Sequence, residues 1–206
     1  MAETVCLALT GASGMPYGLR LLECLLDAGC RVELLYSQVA QVVARQEMDL
    51  DLPSRASDAR RLLGERLGNR PGVLAVHGRE EWFAPLASGS SPPDAMVVCP
   101  CSMGTLAAIA QGLSRTLIER AADVVLKEGR RLILVPRETP LSAIHLENML
   151  RLTRVGALIL PPCPGFYHRP QRVEELVDFV VARILDQLRL PHSLVPRWGD
   201  RQSDRQ

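Results

Sequence analysis

Several features that would assign this chain to a specialised class are missing from it. No apolar run approaches the roughly 20 residues a membrane-spanning helix needs. The opening MAETVC leads into apolar residues without the basic start of a secretory leader. A cytoplasmic protein with no membrane partner is therefore expected. An excess of one charge sign is also absent: the formal net charge is +1 and Lys and Arg are scattered, which leaves nucleic-acid binding without a basic stripe. There is no GxxxxGKS/T loop, so P-loop hydrolysis is not indicated. Among six cysteines the only close pair is Cys99 and Cys101, spaced by one residue where a zinc knuckle or redox motif has two. The cysteines read as small buried hydrophobes, with neither a disulfide framework nor a metal site expected.

What is present is an apolar chain with regular punctuation. A length of 206 residues at 47% hydrophobic content is enough for one domain with a sizeable core. That domain is expected over residues 1–190, followed by a polar tail at 191–206. Apolar strands are read at 5–10, 31–36, 73–76, 95–99, 132–135 and 157–160. Helices are read at 16–28, 37–46, 59–67, 102–112, 116–127, 142–152 and 173–188. In the second helix Val39, Val42 and Val43 are expected to face inward. The alternation implies a single-domain Rossmann-like or flavodoxin-like α/β three-layer sandwich with a mainly parallel sheet and right-handed crossovers.

The first strand breaks into LTGASGMPYG, where Gly11 and Gly14 permit a tight turn and Pro16 suits the first turn of a helix. Helix-start amides and the helix dipole make such a turn an anion pocket. In open α/β sheets ligands bind at the carboxyl ends of the strands. Ser13 follows the first strand, Ser37 the second, Ser102 and Thr105 the fourth, Arg137 and Glu138 the fifth, and Tyr167 the last. The unusual polar residues thus fall on one rim. A dinucleotide site would space its glycines GxGxxG and end the second strand on an acidic residue. This chain has Gly11, Gly14 and Gly18, with Ser37 at that position, so a mononucleotide such as FMN fits better. The segment WFAPLASGSSPP at 82–93 is expected to be a long loop, of the kind that often serves function.

Taken together, GASGMPYG, WFAPLASGSS, VVCPCSMGTLAAIAQG, LIERAADVVLKE, LILVPRETPLS, IHLENM and PGFYHRP resemble the UbiX/Pad1 family of flavin prenyltransferases over most of the chain. The resemblance implies transfer of a dimethylallyl group from dimethylallyl monophosphate to N5 and C6 of reduced FMN, without a metal. The prenylated FMN would then serve a partner decarboxylase. It also implies that Gly11, Ala12, Ser13, Ser37, Ser102, Met103, Gly104, Thr105 and Arg137 hold FMN. Arg120, Lys127, Glu138, Tyr167 and Arg183 would surround the prenyl phosphate, where cationic groups and a phenol hydroxyl stabilise the charge that develops on leaving. Trp82 would offer a π face to an allylic cation, and Ser13 with Glu47 would relay a proton. A homo-dodecamer with sites between subunits is implied as well. Two other readings use the same FMN pocket: a decarboxylase of the related cysteine-decarboxylase flavoprotein fold, and a non-catalytic FMN carrier. On spacing alone, Arg120 and Lys127 share a helix face and read as surface charges paired with Glu119 or Asp123. His145 reads as a structural histidine, and His168 as a residue that orients the Tyr167 loop.

Overall fold

Runs such as VCLAL and MVVC place apolar side chains on both sides of an extended backbone, which suits strands covered on both faces. The computed structural model describes residues 3–196, and these form strands β1 (Thr4–Leu9), β2 (Arg31–Tyr36), β3 (Val73–Val76), β4 (Ala95–Cys101), β5 (Arg131–Pro136) and β6 (Leu158–Ile159). They lie in one sheet in the order β3-β2-β1-β4-β5-β6. Every neighbouring pair is parallel. Among the described residues six α-helices lie between the strands and a seventh follows β6: α1 (Met15–Asp27), α2 (Gln38–Met48), α3 (Ala56–Leu67), α4 (Met103–Ala110), α5 (Leu117–Lys127), α6 (Ala143–Arg154) and α7 (Val173–Leu188).

Alternation along each strand divides the core in two. Val5, Leu7, Leu9, Val97 and Ile133 pack with α1, α2, α3 and α7 on one face. Cys6, Ala8, Met96, Val98 and Leu134 pack with α4, α5 and the end of α6 on the other. The chain builds outward from β1 to β3, returns through residues 77–94, and builds outward again from β4. The strand order therefore reverses between β1 and β4, and a crevice is expected outside the carboxyl ends of those two strands. None of the described helices is long and apolar enough to cross a membrane.

Four details differ from the expected pattern. Val39 and Val42 face outward, 57% and 60% exposed, because α2 approaches the sheet through Ala40 and Ala44, whose small side chains permit close contact. β4 runs on through Pro100 to Cys101, past a register shift between Val98 and Cys101. An irregularity of that kind is where a strand tolerates a residue without an N–H. β6 is only two residues long: the Leu160 amide still donates to the Leu134 carbonyl at 2.8 Å, but Pro161 and Pro162 come next and cannot extend a ladder. Cys163 is exposed, whereas Cys6, Cys30, Cys99 and Cys101 are buried as expected.

Candidate functional site

Where β1 ends, Thr10 leaves the ladder and ties the two central strands together. Its amide donates to the Pro100 carbonyl at 3.1 Å, and its hydroxyl donates to the same oxygen at 2.8 Å. The hydroxyl also accepts from the Ser102 amide at 2.7 Å. Thr10 has no exposed surface, so this knot fixes the floor of the crevice. Above it Ser102 caps α4: its hydroxyl accepts from the Thr105 amide at 3.2 Å and donates to the Thr105 hydroxyl at 3.0 Å. Met103 is buried while Gly104 is exposed at the helix start. Burial pushes the Cys101 thiol up to about 12 and raises that of Cys99 as well, so both thiols beside the crevice are inert packing groups.

The turn into α1 requires glycine at two places. Gly14 has φ of 119°, a left-handed value that disfavours side chains, and a β-carbon on Gly18 would strike the Cys99 carbonyl. The anion pocket at this helix start is already used. Glu47, near the end of α2, accepts from the Gly14 amide at 3.0 Å and from the Met15 amide at 2.8 Å. A carboxylate on these orphan donors satisfies them and complements the helix dipole. Ser13 is exposed immediately before them, Ala12 is buried and Gly11 lies beside Val39. Ser37 caps α2, accepting from the Ala40 amide at 3.1 Å.

At the end of β5, the Arg137 amide donates to the Cys101 carbonyl at 3.3 Å. Its side-chain Nε is buried and has no hydrogen-bond partner among the described residues. An unpaired buried guanidinium donor is costly unless an anion or polar group completes it. Glu138 follows, exposed, with its carboxylate accepting from the Thr139 amide at 3.1 Å. Tyr167 stands 80% exposed on the segment after β6. Next to it His168 stacks on Phe179 of α7, ring centres 5.8 Å apart, so this histidine does brace the Tyr167 loop. His145 lies at the start of α6, completing a capping box with Ser142, which is the structural role expected of it.

The rim thus collects Ser13, Ser37, Glu47, Ser102, Thr105, Arg137 and Glu138. Other expected site residues lie elsewhere in the chain. Arg120 donates to the Ala87 carbonyl at 3.0 Å and pairs with Asp123 at 2.8 Å. Lys127, at the far end of α5, pairs with Glu128. Three residues on, the Arg130 side chain reaches Asp94, at the amino ends of β4 and β5, the edge opposite the crevice. Trp82, 44% exposed, sits where the chain leaves β3. Arg183 pairs with Asp186 at 2.7 Å and lines a separate cavity of about 300 Å³ with Leu158, Leu160, Cys163 and Phe179. One chain alone does not bring Arg120, Lys127 and Arg183 to the rim.

The site's hydroxyls and its unpaired guanidinium nitrogen suit a phosphorylated, polar-edged ligand. A family model described as Flavoprotein matches residues 2–185. The flavin prenyltransferase UbiX of Pseudomonas aeruginosa is 57% identical over 198 residues, covering 96% of this chain and 95% of that protein. The chain belongs to the UbiX flavin prenyltransferase family. Among solved UbiX structures, AnUbiX in complex with FMN and dimethylallyl pyrophosphate is 41% identical, with a TM-score of 0.86 over 97% of this chain and 98% of that one. A dodecameric FMN-dependent UbiX-like decarboxylase from Escherichia coli O157:H7 is 43% identical, with a TM-score of 0.81 over 95% of this chain and 98% of that one. The UbiX match therefore extends over both halves of the sheet and all the segments that bear the rim.

Proposed function

We propose that this protein transfers a dimethylallyl group from dimethylallyl monophosphate to reduced FMN and releases phosphate. The prenylated FMN goes to a partner decarboxylase, and the work is done in the cytoplasm. The observation that carries this reading is the convergence of Ser13, Glu47, Ser102, Arg137 and Glu138 on the β1/β4 crevice, in a chain 57% identical to a flavin prenyltransferase.

The residues present fit FMN. The buried, unpartnered Arg137 Nε is a donor for an anionic or polar group. Ser37, Ser102, Gly104 and Thr105, with Gly11 and Ala12, offer small or hydroxyl-bearing side chains along the rim, with Met103 buried in the core beside them. When bound, reduced FMN supplies the nucleophilic N5 and C6. The protein's own groups do the rest. As the allylic C–O bond breaks, its electron pair leaves with the phosphate. Tyr167 and the cations Arg120, Lys127 and Arg183 stabilise that charge, and Glu138 delivers a proton to it. Ser13, exposed beside the Glu47 carboxylate, relays the proton given up by the flavin ring to the double bond of the allylic fragment, which is consumed as the second bond, to C6, forms. Trp82 supplies a π face for the allylic fragment.

Lys127 and the β1/β4 crevice lie at opposite edges of the sheet, so a phosphate site that uses both must draw on more than one copy of the chain. We therefore place the site between subunits of a homo-oligomer, a dodecamer like the Escherichia coli relative. Phosphate release tests the proposal. With reduced FMN and dimethylallyl monophosphate both present, inorganic phosphate should appear; release that does not depend on the flavin would overturn it.

A further inference from the structure

The segment that carries Trp82 is fastened to the sheet by a charged cluster at its base. Glu33 sits within β2, only 5% exposed. Its carboxylate accepts from Arg31 Nε at 2.6 Å and meets Nε2 of His77, the residue that follows β3. The other ring nitrogen, Nδ1, lies 3.2 Å from Glu81, whose second oxygen accepts from the Gly78 amide at 2.9 Å. The His77 side chain is 9% exposed. Glu81 immediately precedes Trp82, and its carbonyl accepts from the Ala84 amide at 3.0 Å. One imidazole thus bridges the core of the sheet and the turn that presents the tryptophan.

The chemistry of this bridge depends on the proton count. Ionised carboxylates only accept, so an imidazole flanked by two of them makes both bonds only when both nitrogens carry protons. A neutral ring would turn a lone pair toward one carboxylate. We propose that His77, as an imidazolium held between Glu33 and Glu81, is a positioning residue that sets the orientation of Trp82 over the site; this rests on the prenyl-transfer reading above. The groups facing it are Glu33 from β2 and Glu81 from its own turn. Arg31 shares Glu33, and the Cys6 thiol of β1 lies near Glu33 but is kept neutral by burial. Hydrogen bonding to Glu33 holds His77 above the ordinary histidine range of 6.5, and the same bond holds Glu33 below the ordinary carboxylate range. A raised folded value means that the anchor is complete below the ordinary histidine value of 6.5, as long as both carboxylates stay ionised, and is lost as pH rises through the raised value.

The test uses the full chain carrying Trp198→Phe, so that Trp82 is the only tryptophan. Its emission is followed from about pH 6 to about pH 9 without substrate. A sigmoidal change with a midpoint above 6.5 is expected; it should move to lower pH in Glu81→Gln, which keeps the fold but removes one counter-charge, and vanish in His77→Gln. The transfer rate should fall along the same curve, and His77→Gln should be slower by up to roughly a hundred-fold at about pH 6, where the parent's anchor is complete, the scale of a misplaced group. Emission that stays flat in the parent, or a midpoint unmoved by Glu81→Gln, would overturn the proposal whether or not His77→Gln folds. A normal emission curve with no transfer at any pH would instead sink the prenyl-transfer reading and leave the anchor standing.

Discussion

Replacing Thr10 with valine removes one hydroxyl from the junction of β1 and β4 and leaves the side chain's shape almost unchanged. Two hydrogen bonds go: the one donated to Pro100 at 2.8 Å and the one accepted from Ser102 at 2.7 Å. The Pro100 carbonyl keeps the Thr10 amide as a donor, so only the Ser102 N–H is orphaned. An unpaired buried donor costs about 1–3 kcal/mol and the lost bond adds roughly 1. The expected destabilisation is about 2–4 kcal/mol, below the 5–15 kcal/mol of an ordinary domain, so the variant folds. For a chain of this size that corresponds to a fall in Tm of about 4–16 °C. Thr10→Ser retains the hydroxyl and should lose much less. Calorimetry at fixed protomer concentration reads the shift, and FMN titration reads the site, which should weaken because Ser102 caps α4 from this knot. A Thr10→Val protein with wild-type Tm and FMN affinity would refute the assignment of Thr10 as the floor of the crevice.

Glu47→Ala should lose about 1 kcal/mol from the start of α1, the cost of an absent helix cap, and should slow transfer; Glu47→Gln should recover part of the stability and little of the rate. Stability and turnover measured on the same samples separate the two effects. Glu138→Gln and Tyr167→Phe should bind FMN normally yet transfer slowly, and wild-type rates in both would remove these residues from the mechanism. Lys127→Ala and Glu138→Gln should each be nearly inactive alone. Unfolded together and refolded as mixed oligomers, they should regain part of the activity, because some sites would combine an intact crevice with an intact Lys127. No recovery would argue that both residues serve within one chain.

Elements whose signals are local were legible in the sequence. The closing helix, the helix starts at Ser37 and Ser102, and the gathering of polar residues at one sheet edge all follow from periodicity, capping chemistry and the rule for parallel sheets. Tertiary choices were not legible. The apolar spacing of Val39 and Val42 reads as a core stripe, but α2 uses its alanines to approach the sheet, so the valines face out. Glu47 and the α1 amides lie 32 or 33 residues apart, and no local pattern shows that a carboxylate already occupies the anion pocket. His77 and Glu33 are 44 residues apart and meet only because β2 and β3 are neighbours. Lys127 and Arg120 share a helix face, as their spacing says, but which edge of the sheet that helix end reaches depends on the chain's course from α4 back to β5.

The central claim is that a five-carbon unit is joined to the flavin, and the mass of the flavin reads this directly. The full-length protein is incubated anaerobically with reduced FMN and dimethylallyl monophosphate, then denatured, and the released flavin is weighed by mass spectrometry. The product should be FMN carrying one added five-carbon unit, formed only when protein and both substrates are present. Unmodified FMN as the sole flavin, with the monophosphate and with the pyrophosphate alike, would contradict the account.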